Sequence, residues 1–147
     1  MSKCLWCSML AVIIGGTQQA CGDDAKWSDD KLQGKWQAVE VVTNGESLPK
    51  ETLERMSVEF SGEYLRIRLI DGDNKPRAVQ TFLVNSSKKP KTIDVYQYGM
   101  TRRGIYEVDA DTLKLCLSHG GKKERPTEFA APKDSELILF RLRRVKE

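Results

Sequence analysis

The sequence predicts an all-β domain, a roughly eight-stranded antiparallel up-and-down barrel with one short helix after the first strand. In several short runs apolar residues alternate with polar ones, and turn residues interrupt these runs at short intervals. Strands of this kind, joined by tight turns, can close into a barrel that leaves no exposed edge. A two-sheet sandwich is the alternative, but the close spacing of the turns favours hairpins between neighbouring strands over the long returns of a Greek key.

Each element follows from its own pattern of residues. Apolar residues alternate with polar ones over 65–69, and this run ends at Asp71-Gly72, a favoured hairpin turn. Pro49 suits the first turn of a short helix at 48–55, because its fixed φ is helical and its missing N–H would have no partner there. In chain order the strands are predicted at residues 36–42, 56–60, 65–69, 77–84, 92–96, 104–108, 112–117 and 137–143.

The first two dozen residues are typical of an export signal. Lys3 precedes an apolar run from about Leu5 to Ile14, and a small residue, Ala20, stands directly before Cys21. A signal peptide has an apolar stretch of roughly 7 to 15 residues, whereas a membrane-spanning helix needs roughly 20. We therefore expect a signal peptide at residues 1–20, a flexible tether at 21–30 and the β-barrel domain at 31–147.

Cys21 is the candidate lipid-attachment residue. Bacterial lipoprotein precursors are cut immediately before a cysteine, which then carries lipid, and the residue before the cut is small. Gln18 and Gln19 depart from the residues usual at their positions, so plain secretion as a soluble protein and an uncleaved anchor stay open as alternatives. With lipid on Cys21, the protein is expected to be exported and held at a membrane of the cell envelope by its acyl chains.

The charge balance argues against a nucleic-acid partner. The formal net charge is +3, and it falls to +2 without Lys3, the only charged residue in the predicted signal. A nucleic-acid binder gathers basic residues on one face, whereas here acidic residues are interspersed with basic ones. The basic runs at 88–91 and 141–144 are interpreted as a solvated turn and a strand edge.

The cysteines predict a fold without disulfide bonds. Cys4 and Cys7 lie in the predicted signal, and lipid would block Cys21, which leaves Cys116 alone. A lone thiol cannot form an internal bridge, so the core must hold the fold together. A bridge between Cys21 and Cys116 stays open only if Cys21 is not acylated.

Five tracts resemble an uncharacterised family of small exported lipocalin-like domains that is abundant in planctomycete bacteria. They are LQGKW at 32–36, KKPKTID at 88–94, GIYE at 104–107, DTLKLC at 111–116 and ERPTEF at 124–129, and they lie in this order between Lys31 and Arg144. The resemblance implies a lipocalin-like barrel and supplies no catalytic residues.

A second resemblance concerns Trp36. Gly34-Lys35-Trp36 is similar to the Gly-x-Trp that opens the first strand of lipocalins, in which the Trp plugs the closed end of the barrel beneath an arginine of the last strand. For this chain, the resemblance implies that Arg141 or Arg143 covers the Trp36 ring.

The sequence indicates no enzyme, no metal site and no cofactor. Cys116 and His119 are residue types that bind zinc, but a structural zinc site needs four ligands and the chain has no other His. After the predicted signal, the only other Cys is Cys21. The Gly-x-Ser-x-Gly pattern of a nucleophile elbow is also absent from the sequence.

The function predicted from the sequence is a non-catalytic binding module for a small apolar ligand inside the barrel. Tyr106, Arg125 and Phe129 are the candidate ligand-binding residues. The segment from Arg125 to Phe129 is interpreted as a structural clamp over one end of the barrel, with a binding loop as the alternative. An eight-stranded barrel can hold one small ligand or be filled by its own side chains. The alternative function is therefore an envelope-associated structural or protein-interaction module with a solid core and an unidentified protein partner.

We expect the mature protein to begin at Cys21 and to carry lipid there, because an apolar signal run ends at Ala20-Cys21. Intact-mass measurement on protein isolated from a bacterial host checks this expectation. The mass should equal that of residues 21–147 plus the acyl groups. An unmodified Cys21, or a different first residue, would contradict it.

Overall fold

A computed structural model describes residues 25–26, 29–69, 76–121 and 124–146 of the chain. The predicted signal peptide, Cys21 and the turn at Asp71-Gly72 lie outside these residues. Within them the chain forms ten strands and one helix. The elements are β1 (Ala25–Lys26), β2 (Gly34–Thr43), β3 (Glu46–Ser47), α1 (Lys50–Arg55), β4 (Met56–Ser61), β5 (Tyr64–Leu69), β6 (Pro76–Asn85), β7 (Lys91–Gln97), β8 (Met100–Val108), β9 (Thr112–Ser118) and β10 (Leu137–Arg144).

Eight of the strands, β2 and β4 to β10, form a closed antiparallel barrel. Each of them pairs with the next one along the chain, and β10 returns to pair with β2. The short strands β1 and β3 add to β6 and β2. The predicted up-and-down barrel with one short helix after its first strand is therefore confirmed, and the sandwich alternative is wrong.

The predicted strands are all present, and the differences are at their ends. The largest is in β8, which begins at Met100 because residues 100–103 continue the ladder opposite β7. These residues lack apolar alternation, so the sequence pattern does not reveal them. Helix α1 spans six residues, with Pro49 directly before it. Among the described residues, no helix has the length and apolar character to cross a membrane.

Inward side chains from all eight barrel strands fill the interior. The Phe60 and Phe82 rings, for example, meet edge to face with their centroids 5.2 Å apart. Side chains packed in this way reach a density that leaves few voids larger than a water molecule. The buried cluster consists of Leu32, Trp36, Ala38, Val41, Val58, Phe60, Leu65, Phe82, Val84, Ile93, Val95, Tyr106, Val108, Leu113, Leu115, Leu117, Phe140 and Leu142.

Trp36 and Arg144 close one end of the barrel, at which β2 begins and β10 ends. The Trp36 ring is fully buried, and its Nε1–H donates to the carbonyl oxygen of Leu32 at 2.8 Å. The Arg144 guanidinium lies over this ring, with Cζ 4.2 Å from the ring centroid. A cation in this position contributes roughly 0.5 to 2 kcal/mol beyond the burial of the indole. We call this end the closed end.

Arg144 also ties together the loops at the closed end. Its Nη1 and Nη2 donate to the carbonyl oxygens of Gln33 and Lys31 at 2.7 and 2.6 Å, and its Nε donates to that of Ala110 at 2.8 Å. Gly34 has a φ of +116°, and a Cβ on it would lie 3.1 Å from Nη1 of Arg144. A larger residue at this position would strain the backbone and crowd the guanidinium.

The expectation that Arg141 or Arg143 covers the Trp36 ring is wrong. Side chains alternate between the two faces of a strand, and Leu142 of β10 points into the core. Arg141 and Arg143 are therefore directed outward, and both are exposed. Arg144 is the next inward residue, so it is the one that reaches the ring.

Part of the predicted tether at 21–30 packs against the barrel. β1 pairs with the end of β6. Asp29 accepts a hydrogen bond from the Tyr106 hydroxyl at 2.8 Å and lies 4.0 Å from the Lys91 ammonium. The last residues of this segment are therefore held at the closed end by strand pairing and by a buried hydroxyl that needs a partner.

Arg144→Gln should lower the free energy of unfolding by about 2 to 4 kcal/mol, because it removes a charged donor to three carbonyl oxygens together with the cation over Trp36. Arg143→Gln is the matched control, since it alters an outward residue of the same strand and should cost less than about 0.5 kcal/mol. Urea unfolding followed by tryptophan fluorescence measures both values. Equal losses for the two variants would contradict the arrangement at the closed end.

Candidate functional site

Residues 124–132, which we call the strap, lie across the outer wall of the barrel. Ile105 of β8, Cys116 of β9 and Leu139 of β10 form an apolar patch on this wall and are 1%, 0% and 4% exposed. Phe129 of the strap packs against this patch. The expectation of a clamp over one end of the barrel is therefore wrong, because the strap covers apolar residues on the side of the barrel.

Arg125 pins the strap to the barrel. Its Nη1 donates to the carbonyl oxygens of Ile93 on β7 and Gly104 on β8, at 3.1 and 2.8 Å. Its Nη2 lies 2.8 Å from the carboxylate of Asp94, so the two charges compensate each other. The Arg125 and Asp94 side chains are 30% and 26% exposed, so solvent reaches the pair from one side. These contacts hold the guanidinium in a fixed orientation at the barrel surface.

Gly104 permits the close approach of β8 and β9 beside this anchor. A Cβ on Gly104 would overlap the carbonyl oxygen of Cys116 and would lie 3.2 Å from Cγ2 of Ile93. A larger residue would therefore push the strands apart. It would also displace the Gly104 carbonyl oxygen to which Arg125 donates.

The Cys116 thiol lies buried beneath the strap. Its Sγ is 3.5 Å from the carbonyl oxygen of Ala130, to which the thiol donates. Burial raises the pKa of Cys116, and the charge of Glu128 raises it further, against an opposing effect of the hydrogen bond. A thiol with a raised pKa carries little reactive thiolate at neutral pH.

A cavity of about 780 Å³ lies between the strap and the turn that joins β6 to β7, and we call it the outer groove. It opens to solvent, and its size falls within the range of roughly 300 to 1,000 Å³ that is usual for small-molecule sites. It is lined by Leu83, Asn85, Lys88, Lys89, Pro90, Thr92, Asp94, Ile105, Arg125, Pro126 and Thr127.

The outer groove combines an apolar floor with a charged rim. Leu83 of β6 and Pro90 supply the accessible apolar surface of the floor, whereas Ile105 of β8 and Pro126 also line the groove but are buried. The exposed Lys88 and Lys89 stand on the turn between β6 and β7, opposite the strap. The charge of Arg125 is balanced by that of Asp94. Lys88 and Lys89 therefore give the groove a net positive charge.

Of the three predicted ligand-binding residues, only Arg125 lines the outer groove. Tyr106 is 1% exposed and belongs to the core, where its hydroxyl donates to Asp29. Burial, together with the Asp29 carboxylate, raises the pKa of Tyr106. Phe129 belongs to the strap and packs against the barrel wall, with the Lys114 ammonium 5.9 Å from its ring centroid. The structure therefore does not bring the three residues together.

Sequence analysis missed the apolar lining of the groove, although a signal for it was present. Leu83 and Ile105 each stand beside inward apolar residues, so both faces of their strands are apolar at these points. Consecutive apolar residues in a strand indicate that its outer face is also covered. Lys88 and Lys89 carried no comparable signal, because a basic turn is usually solvated.

Cys116 and His119 lie in different environments. The cysteine is fully buried beneath the strap, whereas the histidine is exposed beyond the end of β9. In the part of the chain that the structure describes, no group of three or more His, Cys, Asp or Glu side chains is placed to hold a metal ion.

Comparisons with protein families, with curated proteins and with solved structures find no match to this chain. The resemblance to the planctomycete lipocalin-like family therefore stays a prediction from the sequence. The function is therefore inferred from the geometry of the barrel, the strap and the outer groove.

Arg125→Met should increase the rate at which Cys116 reacts with a maleimide by about tenfold, because the strap loses its anchor and opens more often. Glu124→Gln is the control, since it alters an exposed residue of the same strap and should leave the rate unchanged. The rate is measured by mass spectrometry on residues 21–147 carrying Cys21→Ser, and it should rise with pH because the thiolate is the reactive form. Equal rates for the two variants would show that Arg125 does not hold the strap closed.

Proposed function

We propose that this protein is a non-catalytic binding module in which the barrel is a solid scaffold and the outer groove holds the ligand. The proposal differs from the carrier predicted from the sequence in the location of the site. A carrier would need its space inside the barrel, whereas inward side chains of all eight strands meet there in one buried cluster. A space of about 780 Å³ lies on the outer wall instead.

The observation that carries the proposal is the combination of this groove with a fixed set of polar groups around an apolar floor. Binding sites for small molecules are mostly apolar cavities with a few polar groups that orient the ligand. In the groove, Leu83 and Pro90 supply the accessible apolar surface. The bonds of Arg125 to two strands place its guanidinium before any ligand arrives. A preformed site binds with less loss of conformational entropy.

The groove also has features that favour binding over catalysis. Asp94 is the carboxylate among the lining residues, and it is paired with Arg125 at 2.8 Å. A general base must be free to accept a proton from its substrate. A carboxylate held by a guanidinium is better suited to positioning the strap than to proton transfer.

We place the protein at the cell envelope, through lipid on Cys21 as the sequence analysis predicts. The first described strand, β1, pairs with the end of β6, close to the turn that bears Lys88 and Lys89. The outer groove, which Asn85 of β6 lines, therefore adjoins β1. Three of the five tracts that carry the family resemblance, at 88–94, 104–107 and 124–129, also contribute lining residues to the groove.

A protein-interaction module is the second candidate, and the turn between β7 and β8 favours it. Tyr98 is 91% exposed on this turn and Met100 is 46% exposed beside it. Tyrosine and methionine are enriched in protein interfaces. This turn lies at the end of the barrel opposite the closed end, so the two candidate surfaces are separate and could be altered independently.

We expect saturable binding of 8-anilinonaphthalene-1-sulfonate at the outer groove. Thr92→Trp places a large ring among the lining residues and should weaken this binding at least about tenfold, since the apolar floor is then occupied. Thr101→Trp is the control on the neighbouring strand outside the groove and should not affect it. Fluorescence titration measures both variants.

Two results would contradict a binding site at the groove. One is the absence of saturable fluorescence. The other is equal affinity of the two variants for the probe. If Tyr98→Ser alone abolished capture of an envelope protein while the probe failed to bind, the interaction module would be favoured instead.

A further inference from the structure

The guanidinium of Arg125 retains donors for a ligand after it has pinned the strap. A guanidinium carries five N–H donors. Nη1 donates to two backbone carbonyl oxygens, and Nη2 forms an ion pair with Asp94 at 2.8 Å, although Oδ1 of Asp94 accepts no hydrogen bond within the described residues. The N–H groups of Nε and Nη2 are therefore available, on a side chain that is 30% exposed and lines the groove.

Lys88 and Lys89 face the same cavity from the opposite side. Both are exposed, and in the described ranges of the chain neither forms an ion pair or hydrogen bond. The acidic residues of the strap, Glu124 and Glu128, line an adjoining cavity that shares Arg125, Pro126 and Thr127 with the groove. Among the described residues, Asp94 is thus the acidic side chain that lines the groove itself, and it is paired with Arg125. The groove therefore favours an anion.

Two features limit the kind of anion. The accessible floor formed by Leu83 and Pro90 is apolar, so a ligand that covers it must carry an apolar body. Asp94 lies beside the available donors of Arg125, so it would repel the second charge of a dianion such as a phosphate monoester. A carboxylate carries one charge and matches the planar geometry of a guanidinium.

We propose that the outer groove binds an amphipathic monocarboxylate. The apolar part of the ligand lies on Leu83 and Pro90, and its carboxylate lies between the two lysines of the turn and the available N–H groups of Arg125. This proposal rests on the groove as the binding site and names the chemistry of what it takes. It also retains the apolar character of the ligand that the sequence predicted.

The test compares three probes with the same eight-carbon chain, namely octanoate, 1-octanol and octyltrimethylammonium. Each is titrated into a protein of residues 21–147 that carries Cys21→Ser. This protein contains every strand from β2 to β10, so it keeps all the strand pairs of the barrel. Amide chemical shifts in NMR spectra report both the affinity and the location. Octanoate should perturb amides at 83–94 and 125–127, with an affinity at least about tenfold higher than either of the other probes.

Charge substitutions make the test specific for the rim of the groove. Lys88→Gln with Lys89→Gln should weaken octanoate binding by about tenfold and reduce its dependence on salt. The reason is that the carboxylate loses its attraction to two ammonium groups, which salt screens. Lys50→Gln with Lys146→Gln is the matched control. These two lysines have side chains that are 85% and 78% exposed and do not line the groove, so octanoate binding should not change.

The outcomes separate the ligand class from the site. Equal affinity for octanoate and 1-octanol, measured at the groove amides, would overturn the proposal that the ligand is a carboxylate. The groove would still be a binding site. Displacement of octanoate by millimolar inorganic phosphate would also overturn the carboxylate proposal, in favour of a different anion. If none of the three probes and no anilinonaphthalene sulfonate perturbed the groove, both proposals would fail. Changes in chemical shift confined to inward residues such as Leu115 would overturn the groove as the site and show that the ligand binds inside the barrel.

Discussion

The Arg144 guanidinium on the face of Trp36 is the contact on which the closed end of the barrel depends. It joins the start of the first barrel strand to the end of the last, because Arg144 donates to the carbonyl oxygens of Lys31 and Gln33 while it covers the ring. The same side chain reaches the loop between β8 and β9 at Ala110. This link adds to the ladder between β2 and β10, the first and last barrel strands, which are distant in sequence.

The second constraint is that several strands are apolar on both faces. Leu115 and Leu117 of β9 point into the core, and Cys116 between them is equally buried on the outer wall. A strand of this kind needs a cover on each side. The interior supplies one cover and the strap supplies the other, with Arg125 as its anchor. The filled interior and the groove beside the strap are thus consequences of the same distribution of apolar residues.

Sequence periodicity predicted the strands well, because alternation reports directly which residues share a face. The resemblance to the Gly-x-Trp of lipocalins placed Trp36 at the closed end, and the alternation about Leu142 could have selected Arg144 over Arg143. Alternation does not report what covers an outward residue, so the position of the strap was not predicted. Tyr106 was assigned to a ligand for a related reason, since a buried hydroxyl needs a partner and the pattern could not reveal Asp29.

The strap takes part in none of the strand ladders of the barrel, and this has a consequence for the lifetime of the protein. It can detach by breaking the Arg125 contacts and a few backbone bonds, such as that from Gly45 to Ala131, while the barrel stays closed. Detachment exposes Ile105, Cys116 and Leu139 together, as one apolar surface with a thiol at its centre. Proteolysis, oxidation and self-association would then act on this partly open form, so strap opening, more than global unfolding, would govern how long the protein persists.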